Sequence, residues 1–297
     1  MQLDPLILVS CQLCEKENTE LLYKISGFKQ DPRECNIVKC VECGLVFINP
    51  TYSKDYNIAL YEKIYFTDQV IDPSGKVRSF LGDRERKIND HRVESKIIQK
   101  YKKGGRILDL GSGPGFFLDT IKGCWEKFAV DTSEFSINNI QDPQVKKFKG
   151  EIQERGFEKS FFDVIYIGHT LDRLTNLQAT LNELNRILKP DGIICVITPN
   201  IDSLCAKVFK NKYRLLYANH LVCFSPETLK KLFERSGFKI INFHYPFFGT
   251  SFFSYLGFLV GTGKIIIQAL LNFLFIPKIM ISPPYRGNII CAIISKV

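Results

Sequence analysis

Several features are missing from this chain, and each absence narrows what it can be. The first ten residues, MQLDPLILVS, lack the basic-then-apolar order of a secretory leader; they carry an acid and a proline and run into a cysteine cluster. The expected compartment is the cytoplasm. No stretch offers the about 20 uninterrupted apolar residues that span a bilayer, because Lys264, Pro277, Lys278 and several glycines break up the most apolar segment, 247–281. The ten cysteines lack a disulfide framework: Cys124, Cys195, Cys205, Cys223 and Cys291 are scattered, as suits a reducing environment. No acidic constellation of metal-binding type stands at the ends of the expected strands.

What is present begins with a globular composition, 45% hydrophobic and 24% charged over 297 residues, enough for one substantial core and a small accessory domain. The net charge is +9, and residues 76–106 hold eleven Lys or Arg against four Asp or Glu, or +7 in one segment. Such a run is either a solvated helix face or a contact surface for nucleic acid or an anionic substrate.

Three regions separate along the chain. Residues 1–50 bear cysteines and show no helical period. Residues 51–103 are polar and tyrosine-rich, with a helix expected over 84–101 whose inward stripe is Ile88, Ile97, Ile98 and Tyr101. From residue 104 to 297, short apolar runs alternate with helical segments. RILDL, KFAVD, VKKF, FDVIYIG, GIICVIT, FKIINFH and NIICAIIS read as strands, with helices after Gly115, after Ser133, over 177–188 and over 225–236. This alternation predicts an α/β, doubly wound Rossmann-like sheet with its ligand at the carboxyl ends of the strands.

The stretch ILDLGSGPGFFLDTIK passes from a buried strand through a glycine turn. Gly111, Gly113 and Gly115 fit G-x-G-x-G, and Asp131 ends the next strand where a ribose-binding acid belongs. The sixth position of the motif is Phe116, where a dinucleotide fingerprint wants a small residue, which argues against NAD. Asp109 places a carboxylate at the strand end, suited to a cationic ligand rather than a pyrophosphate. S-adenosylmethionine, with its sulfonium and ammonium, is such a ligand.

With LDLGSGPG, AVDTS, FDVIYIGHTLDRL, LNELNRILKPDGIICVITPN and HLVCFSPETLKKLFERSGF in hand, residues 106–239 resemble a class I S-adenosylmethionine-dependent methyltransferase. The likeness is to methyltransferase domain family 23 and the group that includes ubiquinone- and polysaccharide-biosynthesis enzymes. The resemblance implies a seven-stranded sheet whose last strand is antiparallel. It implies that Asp109, Gly111, Gly113 and Gly115 surround the methionine part of the cofactor and that Asp131 holds the ribose. Glu151 and Ile152 would meet the adenine, although Glu151 could equally be a surface acid. Gly168 and His169 would border the transferred methyl group, and Tyr61 and Tyr65 would close over the amino-acid end. Asp163 reads as an organiser of its strand. His169 and His220 are the candidate proton acceptors, each competing with a purely structural reading. Where many relatives carry glutamate and histidine, this chain has Asp172 and Arg173, so any role tied to that pair is open.

Two C-x-x-C pairs, Cys11 with Cys14 and Cys40 with Cys43, are separated by 25 residues. They could close one structural zinc site in a segment too small for its own core, with disulfides or a metal-free ribbon as alternatives. A cysteine ribbon ahead of the catalytic fold is again similar to the methyltransferase group named above. The apolar segment 247–281 reads as a lid, a dimer surface or a membrane contact that reaches a lipid-linked substrate.

The leading functional expectation is methyl transfer to a small-molecule or glycan acceptor, on a sugar-containing or polyketide-like hydroxyl. An RNA methyltransferase is the alternative favoured by the +7 segment, but the asparagine-proline-proline-aromatic signature of base-methylating enzymes is absent from the catalytic half. A non-catalytic S-adenosylmethionine-binding scaffold is the third reading.

Overall fold

The computed structural model describes residues 6–25, 33–60, 70–71, 77–274 and 281–297. The N-terminal part contributes β1 (Thr19–Ile25), β2 (Cys35–Cys40), β3 (Val46–Ile48) and α1 (Lys54–Leu60), then the short β4 (Val70–Ile71) and β5 (Val77–Arg78). After them come α2 (Arg84–Ile98), β6 (Gly104–Leu110), β7 (Cys124–Asp131), α3 (Glu134–Asn138), β8 (Lys146–Lys149), β9 (Phe162–Gly168), α4 (Leu177–Ile187) and β10 (Leu188–Pro199). The chain closes with α5 (Leu204–Phe209), β11 (Val222–Cys223), α6 (Pro226–Arg235), β12 (Phe238–His244), α7 (Tyr255–Phe273) and β13 (Ile289–Lys296).

Seven strands form the main sheet in the order β12-β13-β10-β9-β6-β7-β8. The run from β10 to β8 is parallel, while β13 pairs antiparallel with both β10 and β12. The central strands are apolar over most of their length because both of their faces are covered there. Alternate residues Leu108, Phe128, Ile165 and Val196 pack toward Leu177, Leu181 and Leu184 of α4 and Leu229 and Phe233 of α6. The residues between them, Ile107, Ala129, Val164 and Cys195, pack with Ile97 and Ile98 of α2. Burying each large side chain contributes about 1.5–3 kcal/mol, so the helices are held mainly by this face rather than by propensity.

The segment after Gly115 departs from expectation, because turns replace a helix there. Thr120 explains the difference: its backbone N–H and its hydroxyl both donate to the Phe117 carbonyl, at 2.8 and 2.7 Å, which tightens the chain into a three-residue turn. Phe117 is thereby laid flat on Tyr166, ring centroids 3.6 Å apart.

A second sheet, in the order β1-β2-β3-β11, joins the cysteine-bearing segment to the catalytic half. Its last strand comes from residues 222–223, and the Ile48 N–H donates to the Leu221 carbonyl at 3.0 Å. Against the expectation that Lys264 and the glycines leave no apolar stretch long enough to span a bilayer, α7 runs for 19 residues and is long and apolar enough by length and composition. A helix tolerates internal glycine at a cost of about 1 kcal/mol, and Gly261 is used for close packing, since a Cβ there would lie 3.4 Å from Pro283.

Candidate functional site

A cavity of about 450 Å³ opens at the carboxyl ends of β6, β7 and β9. Asp109, Gly111, Gly113, Asp131, Glu151, Ile152, Gly168, His169 and His220 all line it. Gly115 stands behind the turn, where a Cβ would press on Ile140 at 3.1 Å. Tyr61 and Tyr65 lie outside the described residues.

The turn after β6 is built to bring backbone up to a ligand. Gly111 has φ of +74°, and a Cβ there would sit 2.2 Å from the Thr170 hydroxyl, so both conformation and space demand glycine. The Gly113 N–H donates to Asp131 Oδ2 and the Ser133 N–H to Asp131 Oδ1, each at 2.8 Å. The carboxylate ending β7 is thus clamped by the turn and by the residue that caps α3.

Asp109 is more exceptional. It is buried, and its Oδ2 has no hydrogen-bond partner. Burial, with Asp131 and Glu94 nearby, pushes its carboxyl well above the usual range. An unpartnered carboxylate oxygen on a cavity wall is a ready acceptor for an ammonium group. On the opposite side, Ile152 is buried and Lys54 of α1 pairs with Glu151 at 2.5 Å.

Sequence reading missed a cluster on α2. Glu94 is buried, accepting from Tyr166 Oη at 2.5 Å and meeting His91 Nδ1 at 2.7 Å. Burial raises the Glu94 carboxyl, but His91, with His169 and Tyr166, more than offsets this and leaves it below its ordinary value. In sequence Glu94 passes for one charge in a basic, solvated helix; the available signal was the i,i+3 spacing of His91 and Glu94. Tyr166 looks like an ordinary strand residue, yet its hydroxyl would lie 2.3 Å from a Cβ on Gly168.

His169 follows β9 with φ of +54°, an uncommon conformation for a side chain with Cβ. Burial lowers its imidazole to about 4, against the opposing pull of Glu94 and Asp172, so it is neutral at physiological pH. His220 is buried with both ring nitrogens engaged. Nδ1 lies 3.2 Å from the Leu215 carbonyl, to which it can only donate, which leaves Nε2 to accept from Arg173 Nη2 at 3.3 Å. Asp172 lies 3.5 Å from the same Nε2, is 1% exposed, and neither of its oxygens has a hydrogen-bond partner. Burial raises its carboxyl, only partly offset by Arg173. The departure noted at Asp172 and Arg173 is therefore a packed cluster with His220 beside the cavity.

Asp163 accepts from the Arg106 N–H and from Lys189 Nζ, all at 2.8 Å, the strand-organising role expected of it. In the +7 segment, Arg84 pairs with Asp119 at 2.5 Å, Lys102 with Asp191 at 2.7 Å and Arg106 with Glu126 at 3.0 Å. Three of its eleven cations therefore meet acids from other parts of the chain.

Away from the cavity, the sulfurs of Cys11, Cys14, Cys40 and Cys43 lie within 4.8 Å of one another, with Cys11 to Cys43 and Cys14 to Cys40 at 3.5 Å. A tetrahedral site with Zn–S near 2.3 Å has sulfur–sulfur edges of about 3.8 Å, so the four ligands fit such an ion. Both pairs make the same turn: Glu15 donates to the Cys11 carbonyl and Gly44 to the Cys40 carbonyl, at φ of +62° and +82°. Gln12, inside the first pair, accepts from the Leu177 N–H and donates to the Leu174 carbonyl, at 3.3 and 3.4 Å. The ribbon thus grips the segment 174–176 that lines the cavity.

The profile of the family described as Methyltransferase domain matches residues 80–242. An uncharacterised protein of Methanocaldococcus jannaschii is 29% identical over 163 residues, which cover 54% of this chain and 67% of that protein. The demethylmenaquinone methyltransferase of Staphylococcus aureus is 27% identical over 168 residues, or 52% of this chain and 69% of the relative. Among solved structures, the complex of the Haloferax volcanii Trm112 methyltransferase activator with a methyltransferase aligns with a TM-score of 0.53 and 14% identity, over 73% of this chain and 92% of that one. This last likeness is one of fold. With more than half of the chain matched and the strand order, glycine turn and terminal acids in place, the protein belongs to the Methyltransferase domain family and is an S-adenosylmethionine-dependent methyltransferase.

Proposed function

We propose that the cavity holds S-adenosylmethionine with its ammonium against Asp109 and its ribose on Asp131, and that the acceptor is a hydroxyl of a small molecule or glycan. The observation that carries the reading is the buried, unpartnered Oδ2 of Asp109 beside a glycine turn. Ile152 offers an apolar face for the adenine, and Glu151 its carboxylate. When bound, the cofactor supplies a methyl group made electrophilic by positive sulfur.

What remains for the protein is alignment, water exclusion and a proton acceptor. His169 is neutral and lines the cavity, and the carboxylates of Glu94 and Asp172 favour its charged form once it takes the hydroxyl proton. His220, with both nitrogens occupied, positions Arg173. The aromatic lining of Phe247, Phe252 and Tyr285 suits a compact acceptor, and the three ion pairs that join the +7 segment to acids elsewhere in the chain favour this over RNA. A sugar-bearing hydroxyl is the narrower form of the proposal. The four cysteines are proposed to hold a structural zinc ion.

Calorimetric titration of the protein with S-adenosylmethionine, beside Asp131→Ala, tests the reading. Micromolar binding that the variant weakens by about a hundredfold, roughly 2.7 kcal/mol, is the expected result. A folded protein that binds no S-adenosylmethionine would overturn it.

A further inference from the structure

Helix α7 is the least accommodated element among the described residues. Leu256, Leu259, Val260, Ile267, Leu270 and Phe273 are between 52% and 80% exposed. At 100° per residue they fall on one arc of the helix, with Gly261, Ile265 and Gln268 buried on the other side. The exposed face is therefore continuous and about 28 Å long at 1.5 Å per residue. By length and composition this helix could cross a membrane. Its other face, however, is committed to protein: Asn272 donates to the Val208 carbonyl at 2.9 Å, and Gln268 is buried.

The sequence that carries the helix holds charge of one sign, while Asp90 of α2 accepts from the N–H and hydroxyl of Ser251 just ahead of it. From Arg235 to Val297 there is no Asp or Glu, against Arg235, Lys239, Lys264, Lys278, Arg286 and Lys296. Lys264 is exposed and lies at the flank of the apolar arc, where its stem can follow apolar surface while its ammonium reaches anionic groups. Lys210 and Lys212 are exposed in the turn after α5, which packs on α7. The helix also adjoins the cavity mouth, since Phe258 stacks on the cavity residue Tyr285 at 5.1 Å.

We propose that α7 lies on the surface of an anionic lipid bilayer, apolar face inward, and holds the cavity mouth against it. An apolar face supplies hydrophobic insertion, and the exposed Lys264, Lys210 and Lys212 add attraction to anionic headgroups. The acceptor would then be a membrane-resident molecule, a clause that rests on the methyltransferase reading above; the docking itself does not.

The test is co-sedimentation with pure phosphatidylcholine vesicles and with mixed phosphatidylcholine–phosphatidylglycerol vesicles. Wild type is compared with Leu259→Glu/Leu270→Glu and with Lys264→Glu. S-adenosylmethionine affinity and thermal unfolding are measured in parallel, so that loss of docking is separable from loss of the cofactor site or of the fold. Wild type pellets with the mixed vesicles; the double variant binds at least about tenfold more weakly, and Lys264→Glu at least about fivefold, from roughly 1 kcal/mol for the basic residue lost. Wild type remaining in the supernatant, or a double variant that binds as well as wild type, overturns the proposal. So does a vesicle-indifferent dimer that the double variant converts to monomer, which would make α7 a contact between two copies.

Discussion

On the proposed function the cavity has a cofactor wall and an acceptor wall, and the two are made of different material. The cofactor wall is backbone and strand ends: Gly111 and Gly113 in left-handed conformations, Asp109 and Asp131 at the ends of β6 and β7. The acceptor wall is side chains drawn from distant segments: His91 and Glu94 from α2, His169 and Arg173 after β9, His220, and Phe247 to Phe252. The first is held by sheet geometry. The second is held by buried polar contacts, so its energetics rest on which groups are paired and which are not.

Substitutions that separate the walls have graded effects. The largest is expected at His169, on the acceptor side: His169→Ala lowers kcat by about a hundredfold, the worth of a positioned proton acceptor. S-adenosylmethionine affinity should stay within about twofold of wild type, and an equal loss in both would merge the two walls into one unit.

Asp109 comes next, on the cofactor side. Burial raises its carboxyl in the free protein, so a cationic ligand seated there favours loss of its proton. Affinity for S-adenosylmethionine should therefore rise with pH by up to about tenfold per unit, until Asp109 ionises unaided. The free protein should show the opposite trend, because an acid whose folded pKa exceeds its unfolded value loses stability as pH rises between the two. Calorimetry and thermal unfolding across pH check both signs, and Asp109→Asn should flatten both curves.

The smallest effect on the site should come from the ribbon. Cys40→Ser should release the proposed zinc, measurable by metal analysis, and lower Tm by at least about 5 °C, roughly 2 kcal/mol for a chain of this size. Through Gln12 and the segment 174–176 it should raise acceptor KM a few-fold while leaving cofactor affinity nearly unchanged. A change in cofactor affinity as large as that in KM would contradict this route.

The cofactor wall was legible from residue order because it is local. An apolar run, an acid and three glycines lie within ten residues, and a strand entering a glycine turn can do little else. The inner strands β6, β9, β10 and β13 coincide with apolar runs for the same reason, since both their faces are buried over most of their length and the pattern needs no partner to be read. Two local readings went astray. The helix after Gly115 yielded to Thr120, whose hydroxyl competes for the Phe117 carbonyl, and the stretch read as too interrupted to span a bilayer holds a 19-residue helix long and apolar enough to do so, because one exposed cation costs a surface helix almost nothing.

Sequence alone determined that this protein has a doubly wound sheet, a glycine turn flanked by Asp109 and Asp131, and two cysteine pairs spaced to converge. Only the tertiary structure decided that Glu94 lies buried between His91 and Tyr166, that His220 has no nitrogen to spare, that residues 222–223 complete the ribbon's sheet, and that α7 faces outward. The physical reason is burial. A charge or an apolar face has the same local signature in water or in a core, and what surrounds it is supplied by residues tens to hundreds of positions away.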